Sequence, residues 1–323
     1  MERVILGASG LRVSPIAFGT WQLSKRYWGP QCKEDIIQAI WTAFDHGVNL
    51  FDTAEAYGDG YAESVLGEAL RQLPRDEVVI ATKVFKRFSE DGRGCPDLTA
   101  DEILRRCEGS LRRLGADRID IYLLHFFDPL TPLDETAAAM ERLIREGKVR
   151  AIGLSNHTVE QIRAQRRFAS YSVIEPFYSL IDPRAEDDLL PYCQAEGLGV
   201  MIYSPMHMGL LSGKYEGCEQ FDDLRRHHPD FQGARFAQLC RQVQSLQPIA
   251  ERYEMSIYQL VLTATLMHPG IHVAICGIKN PVQIMEAAAV MGRKIRREDY
   301  FAIRRAVAGI PARKPADAAG VRS

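Results

Sequence analysis

The sequence predicts an α/β protein, a single (β/α)8 TIM barrel preceded by an N-terminal β-hairpin, and three observations predict it. Apolar, β-branched runs alternate with amphipathic helical stretches eight times along the chain. No linker or shift in composition separates these units. The Gly-x-Gly-x-x-Gly fingerprint of an open dinucleotide-binding sheet is missing after the first strand, where Gly19-Thr20-Trp21-Gln22-Leu23 stands instead. A closed barrel places all eight units in one domain, and 323 residues are enough to build it.

The hairpin is expected to turn at Gly7 to Gly10. The strands follow at Ile16 to Phe18, Asn49 to Phe51, Val78 to Ala81, Ile119 to Leu124, Ala151 to Leu154, Val173 to Glu175, Val200 to Ile202 and Val273 to Cys276. Helical patterns lie between them at Lys33 to His46, Thr99 to Leu114, Asp134 to Glu146 and Thr158 to Phe168. Several are opened by Ser, Thr or Asp as N-cap candidates. Two segments fall outside the units, a polar insertion at Ser89 to Leu98 and a long loop from Ser204 to Gly233; loops of that length in a barrel are usually functional or mobile. Residues 1–310 are expected to form the barrel domain, and Pro311 to Ser323, rich in Ala, Pro and charge, a flexible tail.

Composition narrows the function. Hydrophobic residues make up 46% of the chain and charged residues 25%, the balance of a water-soluble globular protein with a sizeable core. A formal charge of -2 gives no basic field for nucleic acid or an acidic membrane, so a small molecule is the expected partner. The seven cysteines form no CxxC pair and read as free thiols of a reducing compartment. With no secretory h-region and no run of ~18 apolar residues, the expected location is the cytoplasm. Nothing in the sequence reads out an oligomeric state.

In such a barrel the active site lies at the C-terminal ends of the strands. Strand two ends in Asp52, with Tyr57 in the next loop; strand three ends at Lys83 and strand four at His125. Strand five ends at Ser155 and Asn156, strand six near Glu175, strand seven at Tyr203 and Ser204, and strand eight at Gly277, leading into Lys279. Four ionisable residues at the ends of three consecutive strands must crowd the barrel mouth.

Phe-Asp-Thr-Ala-Glu-Ala-Tyr-Gly (51 to 58), Leu-Leu-His (123 to 125), Gly-Leu-Ser-Asn (153 to 156) and Ser-Gly-Lys-Tyr (212 to 215) resemble the aldo-keto reductase superfamily, in order and over about Leu6 to Val307. The resemblance implies an NADP(H)-dependent reductase of aldehydes or ketones with a catalytic tetrad of Asp52, Tyr57, Lys83 and His125. It assigns Ser155 and Asn156 to the nicotinamide carboxamide and Tyr203 to stacking on the ring. Gly19, Thr20 and Trp21 would line the mouth, and Ser204 and the loop to Lys214 would hold the pyrophosphate. After Gly277, Lys279 would meet the 2'-phosphate, and Gln283 and Glu286 the adenosine.

The chemistry of the tetrad follows from elementary acid–base arguments. Reducing a carbonyl leaves an alkoxide that needs a positioned proton donor. A free tyrosine, with a pKa of ~10, is a poor acid at neutral pH. Lys83 beside it is expected to lower that value, Asp52 to hold the lysine, and His125 to orient the carbonyl. Two positions depart from the family pattern: Glu175 stands where Gln usually binds the carboxamide, and Ala287 where Asn usually meets the adenine amino group. A carboxylate accepts hydrogen bonds but cannot donate unless protonated.

Two rival functions share the fold. One is a non-catalytic NADP(H)-sensing subunit resembling potassium channel β subunits; the other is an NAD-dependent sugar or alcohol dehydrogenase. Trp21, Tyr27, Trp28, Phe85, Phe126 and Phe127 suggest an aromatic pocket for an aryl or medium aliphatic aldehyde.

Overall fold

A computed structural model describes residues 3–88 and 94–308. Eight parallel strands close into a barrel: β1 (Ile16–Gly19), β2 (Leu50–Asp52), β3 (Val79–Val84), β4 (Ile119–Leu124), β5 (Val149–Ser155), β6 (Val173–Glu175), β7 (Gly199–Tyr203) and β8 (Val273–Gly277). All eight lie at or within a few residues of the expected positions. Neighbours in sequence are neighbours in the barrel, and β8 closes on β1 through Gly277 opposite Gly19.

Side chains on a strand alternate in direction, so residues two apart share a face. Ala17, Leu50, Val79, Ala81, Ile121, Leu123, Ala151, Val173, Met201, Val273 and Ile275 form one buried apolar cluster, the interior of the barrel. In seven strands, stepping two residues on from the last inward apolar residue reaches Gly19, Asp52, Lys83, His125, Glu175, Tyr203 and Gly277; in β5 the same step falls on Gly153. The period of the strand itself thus stacks polar chemistry on an apolar plug. A larger apolar cluster joins the outward strand faces to the surrounding helices.

The opposite end is closed by the hairpin, Val4–Ile5 paired antiparallel with Arg12–Val13. Leu6, Leu11 and Val13 pack against the interior cluster. Gly7 makes the turn possible: its φ is +49°, and an added Cβ would lie 2.1 Å from the Gly199 nitrogen.

The helices take the positions their patterns predict, at Lys33–Asp45, Ala100–Leu114, Leu133–Arg145 and Val159–Gln165. Thr158 caps the last of these in a reciprocal capping box with Gln161. Thr99 stands at an N-cap without making the side-chain bond, and Asp134 lies inside its helix behind Pro132. The insertion after β3 pairs Lys86–Phe88 with Gly94–Pro96; its residues 89–93, and the expected tail at 311–323, lie outside the described residues.

The long segment after β7 is ordered by short 3-10 turns at His207–Ser212, Leu224–His227 and Pro229–Phe231. Asp230 braces it, accepting from His207 Nε2 at 2.9 Å and from Arg235 Nε. No helix among the described residues is long and apolar enough to cross a membrane. Cys32, Cys107, Cys193, Cys218, Cys240 and Cys276 are free thiols.

Candidate active site

Lys83 sits at the centre of the barrel mouth with its side chain fully buried. Its Nζ donates to both oxygens of Asp52, at 2.8 and 2.6 Å, and to the Thr53 carbonyl at 3.0 Å. The Tyr57 hydroxyl lies 3.4 Å away. Inward-pointing positions on adjacent strands create this contact: Lys83 is the third inward residue of β3, and Asp52 is the last residue of β2.

The loop that presents Tyr57 is tied down from behind. Arg106 Nη1 donates to Glu55 at 2.7 Å, and Arg113 Nε to the buried Glu63 at 2.6 Å. Thr82 Oγ1 holds the other Glu63 oxygen at 2.7 Å. His125 faces Tyr57 edge-on with ring centroids 5.9 Å apart.

The electrostatics differ from the sequence expectation at one point. Lys83 does pull the Tyr57 hydroxyl towards ionisation, but burial raises its pKa by more, and the Asp52 and Glu175 charges oppose the lysine. Tyr57 is therefore held above its ordinary value. The sequence places Lys83 beside it but gives no measure of desolvation or of a second carboxylate. For Lys83, burial alone would favour the neutral amine, and the two carboxylates overcome it, so the ammonium is held firmly.

Next to this group, Asn156 Nδ2 donates to the His125 carbonyl at 3.0 Å and to Ser155 Oγ at 3.1 Å. Its Oδ1 accepts from the Tyr203 hydroxyl at 2.6 Å. Asn156 and Ser204 both have φ of +59°, in the left-handed region that non-glycine residues seldom adopt. Thr20 bonds the Asp52 carbonyl through both its nitrogen and its hydroxyl, each at 3.0 Å.

A cleft of about 280 Å³ opens beside Tyr57. Of the expected residues, Gly19, Trp21, Asp52, Tyr57, Tyr203, Ser204, Lys214, Gly277, Lys279, Gln283 and Glu286 line it. Thr20, Lys83, Ser155 and Glu175 are buried; His125 and Asn156 do not line it, and Asn156 faces a second hollow with His157 and Phe177. Ala287 is fully buried in the helix Pro281–Ala288 and does not line the cleft. That helix is capped by Asn280, and Gln283 accepts from the Lys279 nitrogen at 2.8 Å.

Sequence reasoning missed Arg225, Gln22 and Tyr258, which also line the cleft. Arg225 lies in an aperiodic loop, and only its charge near Lys214 could have signalled it. Lys214, Arg225 and Lys279 form a cationic group: partial burial and the charges of the other two lower the pKa of Lys214, and burial and Arg225 lower that of Lys279. Trp28 packs beneath it, 5.4 Å from Lys279 Nζ and 5.7 Å from the Arg225 guanidinium. The aromatic set thus divides. Trp21, Tyr27 and Trp28 pack together, while Phe85 and Phe126 pair at 5.0 Å beside His125, and Phe127 turns to His157.

Such a cleft fits an elongated anionic dinucleotide. Lys214 and Lys279, both of lowered pKa, call for an anion beside Arg225, whose guanidinium is paired with Asp223, and Gly19, Gly209 and Gly277 leave room along the cleft wall. At Gly277 an added Cβ would fall 1.4 Å from the Gln22 amide, whose buried Oε1 has no partner.

The Aldo/keto reductase family model matches residues 15–308. The chain is 35% identical to the aldo-keto reductase YhdN of Bacillus subtilis (strain 168), covering 93% of this chain and 91% of that one. It is 32% identical to the NADH-specific methylglyoxal reductase of Escherichia coli (strain K12), covering 94% and 98%. An aldo/keto reductase structure from Klebsiella pneumoniae, in complex with NADP and acetate, superposes with a TM-score of 0.77 at 29% identity over 97% of this chain and 98% of that one.

Proposed function

The chain belongs to the aldo/keto reductase family, and from that premise we propose that it is an NADPH-dependent reductase of aldehydes or ketones in which Tyr57 is the general acid. The observation that carries this reading is the buried Asp52–Lys83–Tyr57 chain of contacts at the wall of an anion-fitting cleft. When bound, the nicotinamide supplies the hydride that reduces the carbonyl carbon.

This chain's own residues bind, orient and move a proton. Lys214, Arg225 and Lys279 would hold the phosphates, Gln283 and Glu286 the adenosine, and Ser155, Asn156 and Tyr203 the nicotinamide end, with Ser204, Gly19, Thr20, Trp21 and Gly277 shaping the wall. The Tyr57 hydroxyl gives its proton to the oxygen of the reduced carbonyl, and Lys83, fixed by Asp52, stabilises the phenolate left behind. His125, facing Tyr57, orients the carbonyl. Tyr57, raised in the free protein, is then a general acid that stays protonated throughout the neutral range and relies on Lys83 at the moment of transfer. Free thiols fit a cytoplasmic setting.

Turnover of NADPH and NADH with a panel of aryl and aliphatic carbonyls tests the reading. Oxidation of either cofactor coupled to alcohol formation supports an enzyme, and tight cofactor binding without turnover supports the sensing subunit.

Cofactor choice rests on Lys279 in its cationic group. A charge-assisted phosphate contact at a half-buried site is worth roughly 1–3 kcal/mol, about one to two decades of affinity. Lys279→Met is therefore expected to raise Kd for NADPH by that factor, to leave Kd for NADH unchanged, and to matter less at high salt. Titrations of both cofactors at two ionic strengths check this; equal losses for both would assign Lys279 to loop support.

A further inference from the structure

Glu175 ends β6 on the inward face, and its carboxyl turns to Lys83, with Oε1 3.2 Å from Nζ. Asp52 Oδ2 lies 2.6 Å from the same nitrogen, and the charges of the two carboxyls act on each other. One ammonium is thus enclosed by two carboxyl groups, all three buried. Fully ionised, the trio carries a net charge of -1 in a site nearly closed to water, and burying an uncompensated charge is heavily penalised. Two carboxylates also cannot hydrogen-bond to each other unless one holds a proton.

We propose that Asp52 and Glu175 share one proton taken from solvent, making the Asp52–Lys83–Glu175 trio neutral, and that Glu175 is a positioning residue that sets the acidity of Tyr57 through Lys83. This rests on the proposed role of Tyr57. The same position filled by an amide would leave Asp52 and Lys83 as a simple neutral pair with nothing to titrate.

The groups that face Glu175 are Asp52 from β2, Lys83 from β3, Tyr57 from the loop after β2 and Tyr203 from β7. From β5, Ser155 contributes a hydroxyl bonded to the Glu175 carbonyl at 3.1 Å. Burial and the Asp52 charge, opposed by Lys83, push the Glu175 carboxyl up to about 8. Glu175 Oε2 is buried without a hydrogen-bond partner, so no donor there stabilises a full negative charge on this carboxyl.

Loss of the shared proton to solvent returns the trio to -1 and places a new negative charge beside Lys83. Tyr57 then becomes a weaker acid. Reduction should fall as pH rises through about 8 in the native protein, and Glu175→Gln should abolish that step.

The direct test is infrared difference spectroscopy of the full chain without cofactor, reading the carbonyl stretch of a protonated carboxylic acid from pH 6 to 10. The proposal expects such a band at pH 6 that disappears around pH 8. It should be absent at pH 6 in both Glu175→Gln and Asp52→Asn, because either change leaves one carboxylate neutralised by Lys83. No protonated band in native protein at pH 6 overturns the proposal. A band that survives in Asp52→Asn overturns the sharing and assigns the proton to Glu175 alone. The native titration needs no variant, so misfolding of either one does not remove the test. Because it needs neither cofactor nor turnover, its outcome is independent of whether Tyr57 is the acid.

Discussion

Tyr57→Phe is expected to lower kcat for carbonyl reduction by ~10²–10⁴-fold, the usual range for loss of a positioned general acid, while Kd for NADPH stays nearly unchanged. The ring lines the cleft and faces His125, and phenylalanine preserves that packing; only the hydroxyl 3.4 Å from Lys83 is lost. Binding and chemistry should therefore separate. Near-native turnover of the variant on several aldehydes would assign the proton to another donor.

Lys83→Met should act mainly on stability. It leaves Asp52 and Glu175 facing each other in a buried site without the ammonium that both contact. Removing one partner of a buried ion pair typically costs about 3–5 kcal/mol. The sign of its pH dependence follows from the carboxyls. Their folded pKa values are raised, so the native state binds more protons than the unfolded chain, and stability is lost as pH rises from their ordinary values through the folded ones. Removal of Lys83 raises the folded values further. Urea unfolding of native and variant protein at several pH values should show a gap that widens from acidic to neutral pH. A gap that is small and independent of pH would mean that the two carboxyls reach water.

The sequence made the barrel legible because its two periods are unbroken. Alternation along the strands marks the inward positions, and reading two residues past the last inward apolar residue finds Asp52, Lys83, His125, Glu175 and Tyr203. What stayed hidden was distance across the barrel. That Glu175 faces inward follows from β6, but that it meets Lys83, two strands removed from its own neighbours, requires the closed geometry. Arg225 was invisible because its loop has no period. The raised pKa of Tyr57 was missed for a third reason: a neighbouring charge can be read from sequence order, whereas the desolvation that outweighs it depends on everything packed around the ring.

Whether the cleft reduces carbonyls is read most directly from product stoichiometry. Purified native protein is mixed with a limiting amount of NADPH and an excess of an aldehyde, and the alcohol formed is quantified against cofactor consumed. One alcohol per NADPH is expected, with Tyr57→Phe forming product far more slowly although it binds the cofactor as tightly. Saturable NADPH binding by the native protein with no alcohol from any aldehyde or ketone in the panel would contradict it, and would make the chain a nucleotide-binding subunit rather than a reductase.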